Sequence, residues 1–364
     1  MKSVHSWRSD RPKRATQRAE ENSLVRNPTV FMMSPDELQG RKKTLRPVAL
    51  PLRDMRVSVV LCTHSLDRYD DLLEAAESVR TQTYADVELV LVSDGNEDVT
   101  ERFEWDFGTD DYTVITALPE NRGLLEARNH GAEAATGDIV AFLDDDAIAD
   151  PDWVAELVEA YEYRDAIAAG GKMVPKWVAG TPGFLPEEFY WLVGVTHRGF
   201  GPDGDPDTAG VVRNTFGSNI SFDRETFLEL SGFDTDIGGR KGDANLQGGE
   251  TELCARLQNE YGQGVWYNPE AVVAHKVFEY RTDPRWLLDR AFWQGYSKRA
   301  MEKLAPRSGD AESDFLTQLV RHHLPQRISR LQNPTRLRLA QLVMTILLTG
   351  VVGTGYLYGA LRYR

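Results

Sequence analysis

Residues 138–147 read DIVAFLDDDA, an apolar run that ends abruptly in three aspartates. The continuous apolar character of 138–143 predicts a buried strand. Carboxylates that project from the C-terminal edge of a sheet can bind a hard divalent cation that bridges two phosphates, so Asp144 and Asp146 are candidates for such a site. A solvated acidic turn is the competing interpretation, because the whole chain is rich in carboxylates.

The stretch before this run alternates short β-branched segments with amphipathic segments of helix length. We predict strands at 57–62 (VSVVLC), 87–92 (VELVLV) and 112–118 (YTVITAL), and helices at 69–80 and 124–135. The alternation predicts an α/β fold with a mostly parallel sheet and flanking helices. Polar residues follow three of the strands, at the edge where open α/β sheets bind ligands. They are Asp94, the Asn121-Arg122-Gly123 turn and the acidic triplet.

Beyond residue 151 the pattern is less regular. A helix and a strand near 166–170 precede an aromatic, proline-rich passage, which we expect to run as a long loop over the sheet edge. Strand character returns at 216–222, a helix opens at 248–257, and AVVAHKV at 271–277 is a last strand that carries His275. These elements predict one catalytic domain over residues 55–280.

Charge is distributed unevenly along the 364 residues, whose net charge is −14. Residues 1–54 hold 12 Lys and Arg against 6 Asp and Glu, whereas residues 55–330 hold 26 against 50. A body this acidic repels phosphates, which argues against a nucleic-acid partner, and it suits concentrated salt. The basic stretch 1–54 is predicted to be a disordered tail, and one interpretation places the natural start at Met55. With only Cys62 and Cys254, no disulfide framework is expected.

Residues 339–361 form a run of 23 without a charge, with two arginines close by on each side. At about 1.5 Å per residue the run spans roughly 35 Å, enough for a bilayer core of about 30 Å. We predict one transmembrane helix after a helical juxtamembrane segment at 281–338, with the catalytic body on the cytoplasmic side of the cell membrane by the positive-inside rule. A buried or surface-lying amphipathic helix is the alternative. Gly355-x-x-x-Gly359 can pack against another helix.

In this order the motifs resemble the family 2 glycosyltransferases, which have the GT-A fold, over residues 57–277. The resemblance implies transfer of a sugar from a nucleotide-sugar with Mn²⁺ or Mg²⁺. VSVVLCTHS is similar to the family's first strand and the loop after it that contacts the nucleotide, and SDG is similar to the turn that holds the base or ribose. NRGLLEARNHG resembles the stretch that flanks the nucleotide-sugar pocket, and FLDDDA resembles the D-x-D motif. The residues thereby implied for the nucleotide-sugar are Thr63, Asp94, Asn121, Arg122, Arg128, Asp144 and Asp145, and Asp146 is implied for the metal.

Inverting sugar transfer also needs a general base, because the acceptor hydroxyl loses its proton as it attacks. GGETELCARL offers Glu250 where the family commonly has Asp before the Thr, so this sequence departs from the pattern. Glu252 is the alternative base, although on an early helix turn it also complements the dipole. His275 is by default a core histidine, but in related GT-A enzymes a late histidine can complete the metal shell.

EEFYWLVGVTHRGF, RNTFGSNISF and QGGETELCARL further resemble the glucosyl-dolichyl phosphate glucuronosyltransferases of salt-loving archaea. This resemblance implies transfer from UDP-glucuronate to a dolichyl phosphate-linked sugar in protein N-glycosylation. A cation is needed beside the donor's carboxylate, and Arg213, Arg240 and Lys241 are candidates that can equally face solvent. The alternative is a hexosyl- or rhamnosyltransferase of surface polysaccharide or glycolipid synthesis. A dinucleotide-dependent oxidoreductase is disfavoured, because no G-x-G-x-x-G follows the first strand.

Overall fold

The computed structural model describes residues 55–241, 244–304 and 315–363. The predicted disordered tail at 1–54 lies outside the described residues, and so do the side chains of Arg240 and Lys241.

The first half of the chain builds the parallel side of one sheet. Its strands pair in the order β3-β2-β1-β4, all parallel. Val57, Val59 and Leu61 face one layer of helices, whereas Val60 and Cys62 face the other, so β1 is buried on both faces as parallel strands require. The elements are β1 (Val57–Thr63), α1 (Tyr69–Arg80), β2 (Val87–Asp94), α2 (Glu97–Phe107), β3 (Thr113–Leu118), α3 (Leu124–Ala134) and β4 (Ile139–Asp144).

The second half extends this sheet with mixed pairing. The order continues β4-β8-β6-β11-β5, with β8 antiparallel to both β4 and β6, while β7 pairs with β11 and β9 and β10 form a separate hairpin. The predicted α/β fold with a mostly parallel sheet is therefore confirmed. The elements are β5 (Ala147–Ala149), α4 (Trp153–Arg164), β6 (Ala168–Trp177), β7 (Gly210–Val212), β8 (Ile220–Asp223), α5 (Arg224–Glu229), β9 (Gly239–Lys241), β10 (Ala244–Leu246), α6 (Gly249–Tyr261) and β11 (Val265–Val277).

Three parts differ from the sequence prediction. The sequence did not predict α2, although Val99, Phe103 and Phe107 recur at its buried face with helical spacing. The predicted long loop contains a 3-10 helix, Glu187–Val193, which packs its buried residues into the core. The strand expected at 216–222 is the shorter β8, because Phe216 accepts a turn hydrogen bond from the amide of Asn219 at 2.9 Å before the strand begins.

The C-terminal part is helical and lies against the sheet domain. It comprises α7 (Pro284–Leu304), a π-helical turn (Leu319–His323), α8 (Leu324–Ser329) and α9 (Arg336–Arg362). By length and composition, α9 is one helix that could cross a membrane. The prediction that Gly355 and Gly359 pack on another helix is confirmed. A Cβ added to Gly355 would lie 1.9 Å from the carbonyl oxygen of Phe292 in α7.

Candidate active site

A cleft of about 1310 Å³ opens at the edge where β1, β2 and β4 end. This is the edge that open α/β sheets use to bind ligands. Four other segments close the cleft: the 3-10 helix Glu187–Val193, the start of α6, the end of β11 and one face of α7. The sequence-predicted residues that line the cleft are Thr63, Asp94, Asn121, Arg128, Asp144, Asp145, Asp146, Arg213, Glu250 and His275.

Asp94 ends β2 and fixes the turn that starts α3. Its Oδ1 accepts a hydrogen bond from the amide of Arg122 at 2.7 Å, and its Oδ2 accepts one from the amide of Gly123 at 2.9 Å. The side chain of Arg122 pairs instead with Glu120 at the surface and does not line the cleft. The sequence motif therefore supplies backbone amides at this point, and each Asp94 oxygen keeps a further acceptor site.

Arg128 is buried and joins two acidic residues of the cleft. Its Nη2 donates to Asp144 Oδ1 at 2.6 Å, and its Nη1 donates to Glu250 Oε1 at 3.0 Å. Burial alone disfavours the guanidinium charge, but the two carboxylates outweigh it and raise the pKa of Arg128. The rings of Phe142 and Phe233 lie against the guanidinium, each 5.8 Å away. Arg128 therefore fixes the D-x-D turn and the first turn of α6 relative to each other.

Glu250 faces the cleft, and Glu252 does not. Glu252 Oε1 and Oε2 accept hydrogen bonds from Arg256 at 2.6 and 2.8 Å, and the side chain is buried away from the cleft. No described residue donates a hydrogen bond to Glu250 Oε2. A Cβ on Gly217 would lie 2.0 Å from Glu250 Oε1, so the glycine leaves the space that the carboxylate occupies. Of the two carboxylates, only Glu250 can reach a molecule in the cleft.

The carboxylate of Asp146 contacts a histidine and two arginines from other parts of the chain. Its Oδ1 lies 3.3 Å from His275 Nε2, while its Oδ2 accepts from Arg68 at 2.9 Å and from Arg281 at 3.0 Å. Burial alone would raise the pKa of this carboxyl, but His275 and the two arginines outweigh it and hold the pKa well below its usual range. Asp146 is therefore ionised at neutral pH.

His275 is buried at the end of β11 and has conflicting polar neighbours. Its Nε2 lies 3.0 Å from Arg281 Nη1 as well as 3.3 Å from Asp146. One ring nitrogen can accept from the arginine or donate to the carboxylate, but it cannot do both. Its Nδ1 has no hydrogen-bond partner among the described residues. A cation bound between Nε2 and the carboxylate would satisfy both groups, since both are ordinary ligands for a divalent ion.

Asp145 and Thr63 form the wall beside this pair. Asp145 accepts hydrogen bonds from Arg68 at 3.0 Å and from Thr63 Oγ1 at 3.2 Å. Burial is the largest influence on Asp145 and raises its pKa to about 6, against the opposing effect of Arg68. Within the described ranges, no three His, Cys, Asp or Glu side chains form a complete cation site. Any ion held by Asp146 and His275 would therefore need further ligands from a bound molecule or water.

The sequence prediction missed three arginines that line the cleft. Arg68 follows β1 and Arg281 follows β11, so the rule that polar residues collect at strand ends identifies both in retrospect. Arg290 lies on α7, where no local signal marks it. Its Nε has no hydrogen-bond partner in the described residues, and burial, followed by Arg281, lowers its pKa to about 10.

Of the residues predicted to recognise a carboxylate, Arg213 lines the cleft, and its Nε donates to Asn214 Oδ1 at 2.8 Å. Arg240 and Lys241 form β9 in the hairpin with β10. Their side chains belong to the part of the chain that is not described, so their contribution stays a prediction.

Comparison with known proteins places this geometry in a family. The model of the glycosyl transferase family 2 matches residues 58–230. Over 309 residues the chain is 48% identical to a glucosyl-dolichyl phosphate glucuronosyltransferase from Haloferax volcanii, covering 84% of this chain and 97% of that protein. Over 120 residues it is 32% identical to the glycosyltransferase GlyA from Streptococcus pneumoniae, covering 33% of this chain and 17% of that one.

Among solved structures, the fold is similar to the mannosyltransferase PcManGT from Pyrobaculum calidifontis, determined in complex with GDP-Man and Mn²⁺. The TM-score is 0.51 at 16% identity, over 84% of this chain and 87% of that one. That likeness concerns the fold, whereas the 48% identity over nearly the whole length of the Haloferax protein settles the family. The chain, whose acidic turn, buried arginine and α6 carboxylate meet in one cleft, belongs to glycosyl transferase family 2 with the GT-A fold.

Proposed function

We propose that this enzyme transfers glucuronate, with inversion, from UDP-glucuronate to a glucosyl-dolichyl phosphate in protein N-glycosylation. The observation that carries the proposal is the chain of contacts from Asp144 through Arg128 to Glu250, beside the Asp146 and His275 pair. It joins a turn suited to a nucleotide-sugar to a carboxylate suited to proton removal. The name of the Haloferax relative, which is 48% identical over 84% of this chain, supports the choice of donor and acceptor.

The donor would lie along the edge formed by β1, β2 and β4. Thr63, Asp94 and Asn121 line the part of the cleft that fits the uridine, since their oxygens and amide can pair with ribose hydroxyls and the base. Asp144 would contact the sugar of the donor, because Arg128 fixes its carboxylate at the C-terminal end of β4. Arg122 contributes to this arrangement through its amide, which orients Asp94.

Asp146 and His275 would hold a divalent cation, Mn²⁺ or Mg²⁺, with the donor's diphosphate supplying further ligands. Such a cation neutralises the charge that builds up on the leaving diphosphate. One or two protein carboxylates completed by phosphate oxygens is an arrangement that Mg²⁺ commonly uses. Arg68 and Arg281 contact the same carboxylate and line the cleft, so their guanidinium groups can also pair with phosphate oxygens.

Glu250 would act as the general base. The acceptor hydroxyl oxygen forms a bond to the anomeric carbon, the bond from that carbon to the UDP oxygen breaks, and the hydroxyl proton moves to Glu250 Oε2. Arg128 holds Oε1 and so orients the carboxylate while leaving the second oxygen available. Attack from the face opposite UDP inverts the anomeric configuration.

Selection of glucuronate requires a cation beside its carboxylate. Arg290 lines the cleft from α7 and has an Nε atom without a partner in the described residues, and Arg213 faces the same space. A partly buried guanidinium with no ion-pair partner among the described residues favours a bound anion. Arg290 therefore joins Arg213, Arg240 and Lys241 as a candidate for carboxylate recognition. We also place the catalytic domain on the cytoplasmic side of the cell membrane, where a lipid-linked acceptor would be presented.

The proposal is tested with purified full-length protein in high salt, Mn²⁺ or Mg²⁺, a glucosylated polyprenyl phosphate and a panel of UDP-sugars. We expect a product whose mass increases by one glucuronate, formed from UDP-glucuronate and not from UDP-glucose. The Arg290→Met variant should lose this preference more than the Arg285→Met variant, whose side chain is exposed outside the cleft. Transfer of a neutral hexose or of rhamnose instead would support the alternative function.

A further inference from the structure

The C-terminal helix α9 is packed against the rest of the chain from its first turns to its last. Near its start, Gln341 Nε2 donates to the carbonyl of Gly183 at 2.8 Å. Met344 and Leu348 are buried in the main core. Near its end, the hydroxyls of Tyr296 and Tyr363 are 3.2 Å apart. The face of α9 that makes these contacts is therefore packed against protein along the helix.

The helix that α9 packs on, α7, is a polar helix of the catalytic domain. Tyr356 of α9 donates a hydrogen bond to Glu302 of α7 at 2.7 Å, and Gly359 lies against Arg299. Another face of α7 lines the active-site cleft with Arg290 and Lys298. If α9 crossed a bilayer, it would carry these charged groups into hydrocarbon, at a cost of several kcal/mol for each charge. The packing therefore disfavours a crossing.

The opposite face of α9 is apolar and exposed. Its large side chains are 46–67% exposed. They lie on one side of the helix in two groups, at 339–347 and 357–361, and the exposed positions between the groups are Gly350, Gly353 and Thr354. The residues are Leu339, Val343, Ile346, Leu347, Leu357 and Leu361. Large apolar side chains exposed on one side of the helix toward both of its ends are more than scattered surface hydrophobicity, and they mark an interaction surface.

The charge around this apolar face indicates what it binds. Residues 315–364 contain no Asp or Glu in a chain whose net charge is −14. The same stretch contains seven arginines. Arg321, Arg330 and Arg336 are exposed before or at the start of α9 and Arg362 is exposed at its end, whereas Arg327 is buried and pairs with Glu188. An apolar helical face bordered by cations is the combination that binds anionic membrane surfaces. A second copy of this chain is disfavoured as the occupant, because two such arginine-rich faces would repel each other.

We propose that α9 lies in the plane of an anionic membrane, with this apolar face inserted at the boundary between headgroups and acyl chains, and that it does not cross the bilayer. Of the two interpretations of 339–361 that the sequence allows, the packing on α7 selects the surface-lying helix. One layer of helix, α7, then separates the cleft from the membrane, and packed helix axes are about 8–10 Å apart. The cleft would thus be held at the depth of a lipid-linked phosphate. This inference shares the membrane location with the proposed function but does not depend on the donor or the reaction.

Flotation with vesicles tests the surface. Full-length protein should float with vesicles that contain phosphatidylglycerol and much less with pure phosphatidylcholine vesicles. Replacing Ile346 and Leu357 by Asp in one variant should lower the floated fraction at least 10-fold. Trp105→Asp is the matched control, because Trp105 is 83% exposed on α2 and should leave flotation unchanged. UDP binding to each variant shows that it is folded, and an Ile346 and Leu357 double variant that binds UDP and still floats like the wild type would overturn the proposal.

Cysteine labelling distinguishes a surface-lying helix from a crossing helix. Asn333→Cys and Arg362→Cys place one thiol at each end of α9, while the native Cys62 and Cys254 are buried. In sealed membrane vesicles, a membrane-impermeant maleimide should label both positions from the same side. Labelling from opposite sides would show a crossing and overturn the proposal. A soluble dimer that the Ile346 and Leu357 replacements convert to monomer would overturn it as well, since the apolar face would then bind a second copy.

Discussion

The guanidinium of Arg128 lies 3.0 Å from the carboxylate of Glu250, although 122 positions separate them in the chain. The other side of the same guanidinium holds Asp144 at 2.6 Å. A planar, forked cation can hold two carboxylates in fixed positions, whereas the point charge of a lysine cannot. The contact therefore couples the turn assigned to the donor to the carboxylate assigned to proton removal.

Replacing Arg128 should affect both stability and catalysis. Arg128→Met leaves Asp144 and Glu250 without their buried partner and should destabilise the fold by about 3–5 kcal/mol. Arg128→Lys keeps the charge but loses the fork that donates to both carboxylates, so we expect a folded enzyme with at least a 10-fold lower transfer rate. Urea unfolding and initial rates measure the two effects. A lysine variant with the wild-type rate would show that the bridge does not position Glu250.

Asp146→Ala should abolish metal-dependent donor binding. The change removes the carboxylate nearest to His275 and leaves Arg68 and Arg281 without their shared partner. Calorimetric titration with UDP in the presence and absence of Mn²⁺ should show that Mn²⁺ strengthens UDP binding to the wild type and has no effect on the variant. Asp111→Ala is the control, since Asp111 is exposed just before β3, at the opposite edge of the sheet. Unchanged Mn²⁺ dependence in Asp146→Ala would remove this residue from the metal site.

Glu88 should make stability depend on acid pH. Its buried carboxylate accepts hydrogen bonds from Ser58 at 2.6 Å and from the amide and hydroxyl of Thr136 at 2.9 and 2.6 Å. Burial opposes ionisation, but these bonds outweigh it and lower the pKa of Glu88. Because the folded pKa is below the unfolded value of about 4.3, the contribution to stability is present above that pH and is lost as the pH falls through the folded pKa.

Glu88→Gln should therefore cost about 1–3 kcal/mol at pH 7 and less at acid pH. Urea unfolding of both proteins between pH 7 and pH 3 measures the difference. We expect the two stability curves to converge toward the acid end. A constant difference over this range would contradict the assigned ionisation.

Two glycines of α9, one in contact with α7 and one not, allow the close packing of the two helices to be tested. A Cβ at Gly355 would lie 1.9 Å from the carbonyl of Phe292, whereas a Cβ at Gly350 would meet nothing within 4 Å. Gly355→Ala should push the helices apart and lower the melting temperature. Gly350→Ala should leave it unchanged or raise it, because alanine in a helix is favoured over glycine by up to about 1 kcal/mol. Equal effects of the two changes would contradict the close packing.

The sequence predicted the parallel half of the sheet well, because its strands are local apolar runs that end in turn residues. The predicted strand 57–62 and helix 69–80 correspond to Val57–Thr63 and Tyr69–Arg80. Asp144, Asp146 and Glu250 also follow from local motifs. In contrast, the pattern places Arg68 and Arg281 near strand ends but does not report that both contact Asp146, because the two arginines come from segments that are far apart in the chain.

The same limit explains why the sequence did not predict that the Arg122 side chain lies outside the cleft, nor how α9 packs. A motif identifies a position but does not show whether the side chain or the backbone amide makes the contact. At Arg122 it is the amide that donates a hydrogen bond to Asp94. Residues 339–361 are apolar enough for a membrane helix, yet hydropathy does not show that one face is packed on α7. Both features depend on tertiary contacts.

The most direct test of the account is the turnover of Glu250→Gln compared with Glu252→Gln, measured as transfer from UDP-glucuronate to a glucosylated polyprenyl phosphate. We predict that Glu250→Gln binds UDP like the wild type but has a turnover lower by a factor of about 10² or more, because it lacks the base. Glu252→Gln should weaken the fold through Arg256 and keep near-normal turnover per folded molecule. Normal turnover in Glu250→Gln, with the loss in Glu252→Gln instead, would contradict the assignment of Glu250 as the base.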